Sequence, residues 1–261
     1  MSKLPFLLTQ SHMVAGQSIA YDAALGAPET LIPGAGDQSR RGRMVNAVFK
    51  PFLYSLLSCR NRWLVDGFIS REAGRLVKKH LNEGSTFLDI GCGDMRFRRY
   101  LPKGVCYNAF DIRIPAHHIW RQRGKAGDAN IAIASVHNIP LPDASVSIGV
   151  CLEVFHQVPN IEKASAEIYR VLKKDGIFIV SLCNRTCYKY QKKGPNALTI
   201  NQWTFDELPP FMTRFGFSLL QKKMFGFWVP LPLWLTNSSY QLPFSHPKEF
   251  YNTTFLYVFT K

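Results

Sequence analysis

The stretch Thr86-Phe87-Leu88-Asp89-Ile90-Gly91-Cys92-Gly93-Asp94 constrains the fold of this chain more than any other. It opens as a buried strand, with apolar Phe87, Leu88 and Ile90 around a single acid, Asp89. It closes on two glycines that flank one small residue. Glycine enters the φ > 0 region at little cost and, lacking a Cβ, lets a ligand approach the backbone. A strand that breaks at such a turn and re-enters a helix leaves a crevice at its carboxyl end, where open α/β sheets bind ligands. A second short strand, Cys106-Tyr107-Asn108-Ala109-Phe110, closes on Asp111, 18 residues after Gly93. That interval is close to the ~20 residues expected of an acid that bonds ribose hydroxyls. The full G-x-G-x-x-G is absent, because Asp94, Met95 and Arg96 follow Gly93. A dinucleotide pyrophosphate is therefore disfavoured, and a nucleoside still fits.

Periodicity extends the alternation of strands and helices along the chain. Trp63–Leu81 carries apolar residues at mostly helical spacing. Ile131–Val136 reads as a third strand, Val146–Cys151 as a fourth, Ile161–Leu172 as a helix and Gly176–Ser181 as a fifth strand. Thr204–Phe215 opens as a helix on a Thr204/Glu207 capping box and ends at Gly216. Phe217–Phe225 and Phe255–Lys261 read as strands six and seven. Residues 1–61 form an N-terminal arm with helices near Ser18–Leu25 and Val45–Leu57, and residues 62–261 form the main domain. The connection 226–254 is long, and long connections tend to be functional. It begins in Phe225-Gly226-Phe227-Trp228-Val229-Pro230-Leu231-Pro232-Leu233-Trp234-Leu235. That run reads as a hydrophobic flap, as an apolar substrate wall, or as a patch that dips into a membrane interface through residues 226–235.

Charge and cysteine usage bound the partners. The 32 basic and 18 acidic residues give +14, which fits a solvated surface, nucleic acid, an anionic membrane or an acidic substrate. Cys183 and Cys187 are four apart without a second pair at metal-ligand spacing, so no metal site is expected. Cys92, Cys106 and Cys151 fall in or at the ends of apolar strands, as free thiols do. This usage predicts a reducing cytoplasm, with peripheral membrane contact as a further option. The run Leu4–Leu8 is too short for a secretory signal, and no stretch approaches a membrane span.

Four segments together resemble class I S-adenosylmethionine-dependent methyltransferases, of the small-molecule type-11 branch. Leu88-Asp89-Ile90-Gly91-Cys92-Gly93 resembles the family's first motif, and Ile139-Pro140-Leu141-Pro142-Asp143 its "LPFPD" segment. Val150–Val158 resembles the segment after strand 4, and Glu167–Gly176 resembles "E-x-x-R-V-L-K-P-G-G". The resemblance covers roughly residues 62–220. It implies a Rossmann-like α/β fold: a seven-stranded, mostly parallel sheet with an antiparallel last strand and helices on both faces. It implies S-adenosylmethionine as cofactor. Asp89 and the Gly91-Cys92-Gly93 backbone would hold the methionine end, Asp111 the ribose hydroxyls, and Ile112 the adenine face. Ser135, Val136 and His137 would lie at the adenine edge, with Cys151 and Leu152 at the end of strand 4. The sequence departs from the family at Ser135, where an acid is usual, at Val146-Ser147 in place of "F-D", and at Met95.

The catalytic group is less sharply marked. His156, just beyond strand 4, is the candidate base, because an imidazole titrates near neutral pH. Glu153 is the other candidate, and His117, His118 and His246 are weaker. Cys151-Leu152-Glu153-Val154 stands where DNA amino-methyltransferases carry N/D-P-P-Y/F, and Thr186-Cys187 is a poor match to RNA cytosine-5 enzymes. The expected reaction is methyl transfer to a small hydrophobic or amphipathic molecule. The alternatives are an RNA-directed methyltransferase using the basic surface and a non-catalytic binding protein of the same fold. Nucleic acid is the less favoured partner.

Overall fold

A computed structural model of the chain describes residues 69–81, 84–93, 95–102, 104–113, 129–193, 198–228, 241–242 and 244–261. The expected N-terminal arm, His117, His118 and residues 229–235 of the aromatic run lie outside them. Eight strands form one sheet: β1 (Thr86–Ile90), β2 (Cys106–Asp111), β3 (Ala129–Ile133), β4 (Val146–Leu152), β5 (Leu172–Cys183), β6 (Ser218–Trp228), β7 (Gln241–Leu242) and β8 (Asn252–Thr260). Their order is β3-β2-β1-β4-β5-β8-β6-β7. The first five run parallel, and β8 is antiparallel to both β5 and β6. The expected sheet is present, and the two-residue β7 adds an edge strand beside β6.

Two consequences of this topology place the site. β1 pairs with β2 on one side and β4 on the other, so the chain order reverses there and a crevice opens at the carboxyl ends. Because β6 runs in the same direction as β5, its end at Trp228 emerges on that same edge of the sheet.

Strand residues alternate between two cores, as a period of two requires. Leu88, Ile90, Cys151, Phe178, Val180 and Tyr257 pack on one face, with Ile161, Ala164, Ile168 and Val171 of helix α2 (Ile161–Val171). Phe87, Tyr107, Ile148, Val150, Ile179 and Val258 pack on the other, with Ala73, Leu76 and Val77 of helix α1 (residues 69–80). Helices therefore cover both faces. Two short helices follow β5, α3 (Tyr188–Lys193) and α4 (Leu208–Thr213).

Several boundaries differ from expectation, among them β6 and β8, which extend to Trp228 and back to Asn252. β3 occupies Ala129–Ile133 rather than Ile131–Val136, because the Ser135 and His137 side chains bond each other in a turn that ends the strand. α4 begins at Leu208, four residues after Thr204, although the Glu207 carboxylate does accept the Thr204 N–H at 2.7 Å. β5 starts at Leu172 and runs to Cys183, longer than the hydrophobic core of the segment suggests.

The segments at 139–143 and 167–176 turn out to be one structural clip. Arg170 donates to the Ile139 and Leu141 carbonyls, each at 3.0 Å, and to Asp143 at 2.6 Å. It also forks onto both oxygens of Glu167 at 2.9 Å, and Glu167 accepts the Ile139 N–H at 3.0 Å. A planar guanidinium with five donors suits such a hub. The Arg170 guanidinium holds the Glu167 carboxyl below its ordinary value, against the opposing effect of burial. The clip fixes the loop that feeds β4.

Candidate functional site

The glycine turn is built from the backbone outward. The Gly91 and Cys92 N–H groups both donate to the Phe110 carbonyl, at 2.9 and 3.1 Å, which ties the turn to the end of β2. The Gly93 N–H donates to Asp111 Oδ2 at 3.0 Å, and the Arg113 N–H to Oδ1 at 3.2 Å. Asp111 is thus a turn-holding residue as well as the expected ribose ligand. Each carboxylate oxygen accepts more than one hydrogen bond, so both retain acceptor capacity.

The two glycines do different work. Gly91 has φ +69°, and a Cβ there would lie 2.6 Å from a Val154 methyl. Gly93 has φ +48°, and a Cβ there would meet nothing within 4 Å. The first glycine is needed for packing, whereas the second faces open space. Asp89 is buried beneath them and accepts the Tyr107 hydroxyl at 2.5 Å. Burial and the adjacent Asp89 push the Tyr107 phenol far up, so it stays a neutral donor.

Beyond Asp111 the crevice edge is apolar. Ile112 is 60% exposed and Ile133, at the end of the neighbouring β3, is 56% exposed. The sequence points to Ile112 and misses Ile133, whose place at the crevice follows from β3 ending there. Ser135, Val136 and His137 follow. The Ser135 hydroxyl lies 2.9 Å from His137 Nδ1 and accepts the His137 N–H at 3.3 Å. His137 Nε2 contacts the Pro159 carbonyl. Val136 is buried in the core, which leaves its backbone as the part that can face a ligand.

At the ends of β4 and β5 the expected residues are arranged differently. The Cys151 side chain is fully buried, and burial pushes its thiol up. Only its backbone can reach a ligand. Leu152 is half-buried and packs against the second core. His156, expected as a base in contact with the acceptor, is only 4% exposed. The 198–203 segment is tied to its backbone: the Ile200 and Asn201 N–H groups donate to the His156 carbonyl at 3.0 and 2.9 Å. Burial holds the imidazole below its ordinary value, opposed by the Glu153 carboxylate, and keeps it neutral. His246 lies elsewhere, stacked on Phe227.

His156 nevertheless has reactive neighbours. Its Nε2 lies 3.7 Å from Cys183 Sγ and 3.4 Å from Gln157 Nε2. The Cys183 thiol lies 3.5 Å from Glu153 Oε2, and the Ser181 hydroxyl donates to Glu153 Oε1 at 2.9 Å. Glu153 itself sits at φ +59°, an uncommon backbone state for a residue with a side chain. Sequence reasoning saw Glu153 and His156 but paired Cys183 with Cys187, which is fully buried.

The protein's relatives fit this geometry. A family model described as a methyltransferase domain matches residues 88–180. A probable S-adenosylmethionine-dependent methyltransferase of Mycolicibacterium smegmatis is 25% identical over 141 residues, 54% of each chain. Residues 88–180 thus resemble the class I S-adenosylmethionine-dependent methyltransferases. S-adenosylmethionine is the cofactor of this methyltransferase family. A ubiquinone/menaquinone biosynthesis C-methyltransferase of Brucella anthropi is 30% identical over 136 residues, 48% of this chain and 49% of that one. The chain thus spans about half the length of these two curated relatives. The fold matches that of the Burkholderia thailandensis 1,6-didemethyltoxoflavin-N1-methyltransferase, solved with its substrate and S-adenosylhomocysteine. That match has a TM-score of 0.54 and 18% identity, and covers 84% of this chain and 90% of the other.

Proposed function

We propose that this protein transfers a methyl group from S-adenosylmethionine to a small hydrophobic or amphipathic acceptor. The observation that carries the reading is the Gly91–Gly93 turn locked to β2, with Asp111 beneath it and open space beyond Gly93. When bound, the cofactor supplies a methyl group on a sulfonium, so the chain's task is to bind, orient and exclude water. Asp111 keeps acceptor capacity for two ribose hydroxyls. Ile112 and Ile133 offer apolar cover for a planar base. Asp89 and the Gly91-Cys92-Gly93 backbone form the floor for the amino-acid end. The acceptor lies toward the ends of β4 and β5. His156 acts there as a positioning residue through Glu153 and Cys183, since its own ring is covered.

The substrate class rests on what borders that end. The segment after β6 returns beside β5: Asn184 bonds the carbonyls of Glu249 and Asn252, and Thr186 bonds Glu249. It brings His246 and Tyr251 against Phe227 of β6, and an exposed Phe244. The named substrates of the Brucella relative and the Burkholderia neighbour are also small molecules. Residues 226–235 are the proposed contact with a membrane surface, and residues 62–261 the proposed catalytic domain. Among the described residues no helix is long and apolar enough to cross a membrane.

Calorimetric titration with S-adenosylmethionine and S-adenosylhomocysteine tests the reading. Micromolar binding by the wild type that weakens at least tenfold in Asp111→Ala supports it, and absence of binding by the wild type overturns it. Acceptor binding that falls steeply with salt would instead favour an RNA acceptor on the basic surface.

A further inference from the structure

We propose that Glu153, His156 and Cys183 bind a divalent metal of the zinc class, with a fourth coordination position open to the acceptor. One carboxylate oxygen, one imidazole nitrogen and the thiol sulfur lie within 4.8 Å of one another. Tetrahedral zinc has bonds of about 2.3 Å to sulfur and about 2.0–2.1 Å to nitrogen or oxygen, which sets S···N and S···O edges of about 3.5 Å. The corresponding separations are 3.7 Å from Cys183 Sγ to His156 Nε2 and 3.5 Å to Glu153 Oε2. The third edge, from His156 to Glu153, lies within 4.8 Å and closes inward to complete the tetrahedral face. Mixed sulfur, nitrogen and oxygen ligands favour zinc over magnesium or calcium.

The imidazole supplies independent support. Gln157 Nε2 is fixed as a donor by its 3.0 Å bond to the Glu153 carbonyl, and it also faces His156 Nε2. The Cys183 sulfur lies beside the same nitrogen, with its single proton turned to Glu153. With Gln157 as the donor, the Nε2 lone pair faces the cluster, the tautomer a metal requires. The proton is then on Nδ1, which is buried without a hydrogen-bond partner.

The groups behind the ligands are also in place. Ser181, fully buried, donates its hydroxyl to Glu153 Oε1 and leaves Oε2 turned to Cys183. The Glu153 N–H meets both the carbonyl and the hydroxyl of Ser181, at 3.2 and 3.0 Å. Such outer contacts orient metal ligands. Three protein ligands with an open fourth position are typical of catalytic rather than structural zinc. The direction of that open position toward an acceptor rests on the methyltransferase reading, whereas metal binding itself does not. Binding displaces the Cys183 proton to solvent as the sulfur–metal bond forms, so affinity falls as pH is lowered.

The test is titration of the metal-free full chain with Co²⁺, followed by Zn²⁺. Expected are one Co²⁺ per chain, a thiolate-to-cobalt charge-transfer band, intense visible bands of four-coordinate cobalt, and their loss when zinc is added. Cys183→Ser should abolish the charge-transfer band, Glu153→Gln should weaken binding at least tenfold, and Cys106→Ser, at an exposed thiol, should change nothing. No band in the wild type, a band that persists in Cys183→Ser, or equal loss in Cys106→Ser overturns the proposal. S-adenosylhomocysteine binding measured on the same samples keeps the two proposals apart. Retained cofactor binding in Cys183→Ser shows that the fold is intact and assigns the lost band to the ligand. Failure of cofactor binding in the wild type sinks the methyltransferase reading, and the cobalt titration still decides the metal site by itself.

Discussion

The two ends of the crevice are held by opposite means. At the ends of β1 and β2 the backbone does the work: three successive amides are fixed by one carbonyl and one carboxylate. At the ends of β4 and β5 side chains do it, through a buried imidazole, a thiol and a carboxylate. The first end is specified by conformations that only glycine adopts cheaply, so almost any substitution is felt. The second is specified by chemistry, so isosteric substitutions should preserve the fold and change only what binds.

The largest effect that would sharpen this contrast is Gly91→Val. A β-branched residue at φ +69°, pressed against Val154, should cost about 2–5 kcal/mol from left-handed strain and overpacking combined. Denaturant unfolding should show a lowered midpoint, and cofactor binding should be lost. Gly93→Ala is the control, since it meets only open space. It should cost about 1–2 kcal/mol in stability, from left-handed strain alone, yet weaken the cofactor, which separates packing from access. Equal destabilisation by the two variants would break the distinction drawn between the glycines.

Asp111→Ala comes next. Loss of a carboxylate bonded to the Gly93 and Arg113 amides should weaken cofactor binding roughly 10- to 100-fold, the range of one or two charged hydrogen bonds. Calorimetry reads this directly. Arg170→Ala should lower stability by about 1–3 kcal/mol, because the Ile139 and Leu141 carbonyls lose their partner. The Glu167 carboxyl, depressed from its ordinary 4.5, contributes stability that is fully present above that value and is lost as pH falls through its lowered one. Glu167→Gln should therefore be less stable than wild type at neutral pH and flatten the acid limb of a stability–pH curve. The smallest expected effect is that of Cys183→Ser on the cofactor: affinity should stay within about twofold, since the thiol lies with Glu153 and His156 rather than at the glycine turn.

Legibility in the sequence followed the same division. The glycine turn and Asp111 were readable because the information is local: a strand, two glycines, and an acid 18 residues on. The Glu153–His156–Cys183 group was not, because Cys183 lies 30 and 27 residues beyond its partners. What joins them is the parallel register that sets Leu152 beside Ser181, and register between distant strands leaves no local mark. β3 was misplaced for a related reason: residues 131–136 look uniformly strand-like, and the turn that stops β3 is a side-chain contact between Ser135 and His137. The segments around Ile139 and Glu167 were recognisable as family patterns, yet that Arg170 makes them one clip emerged only from the folded geometry.

The Val154 methyls rest against the α-carbon of Gly91, and Val154 follows Glu153 directly and stands two residues before His156. The chain thus has a direct packing contact between the two ends of the crevice. If occupancy of the glycine turn shifts Val154, it changes affinity at the Glu153–His156–Cys183 group by some factor, and occupancy of that group must change cofactor affinity by the same factor. Enlarging or trimming the side chain at position 154 would then alter that factor in both directions at once.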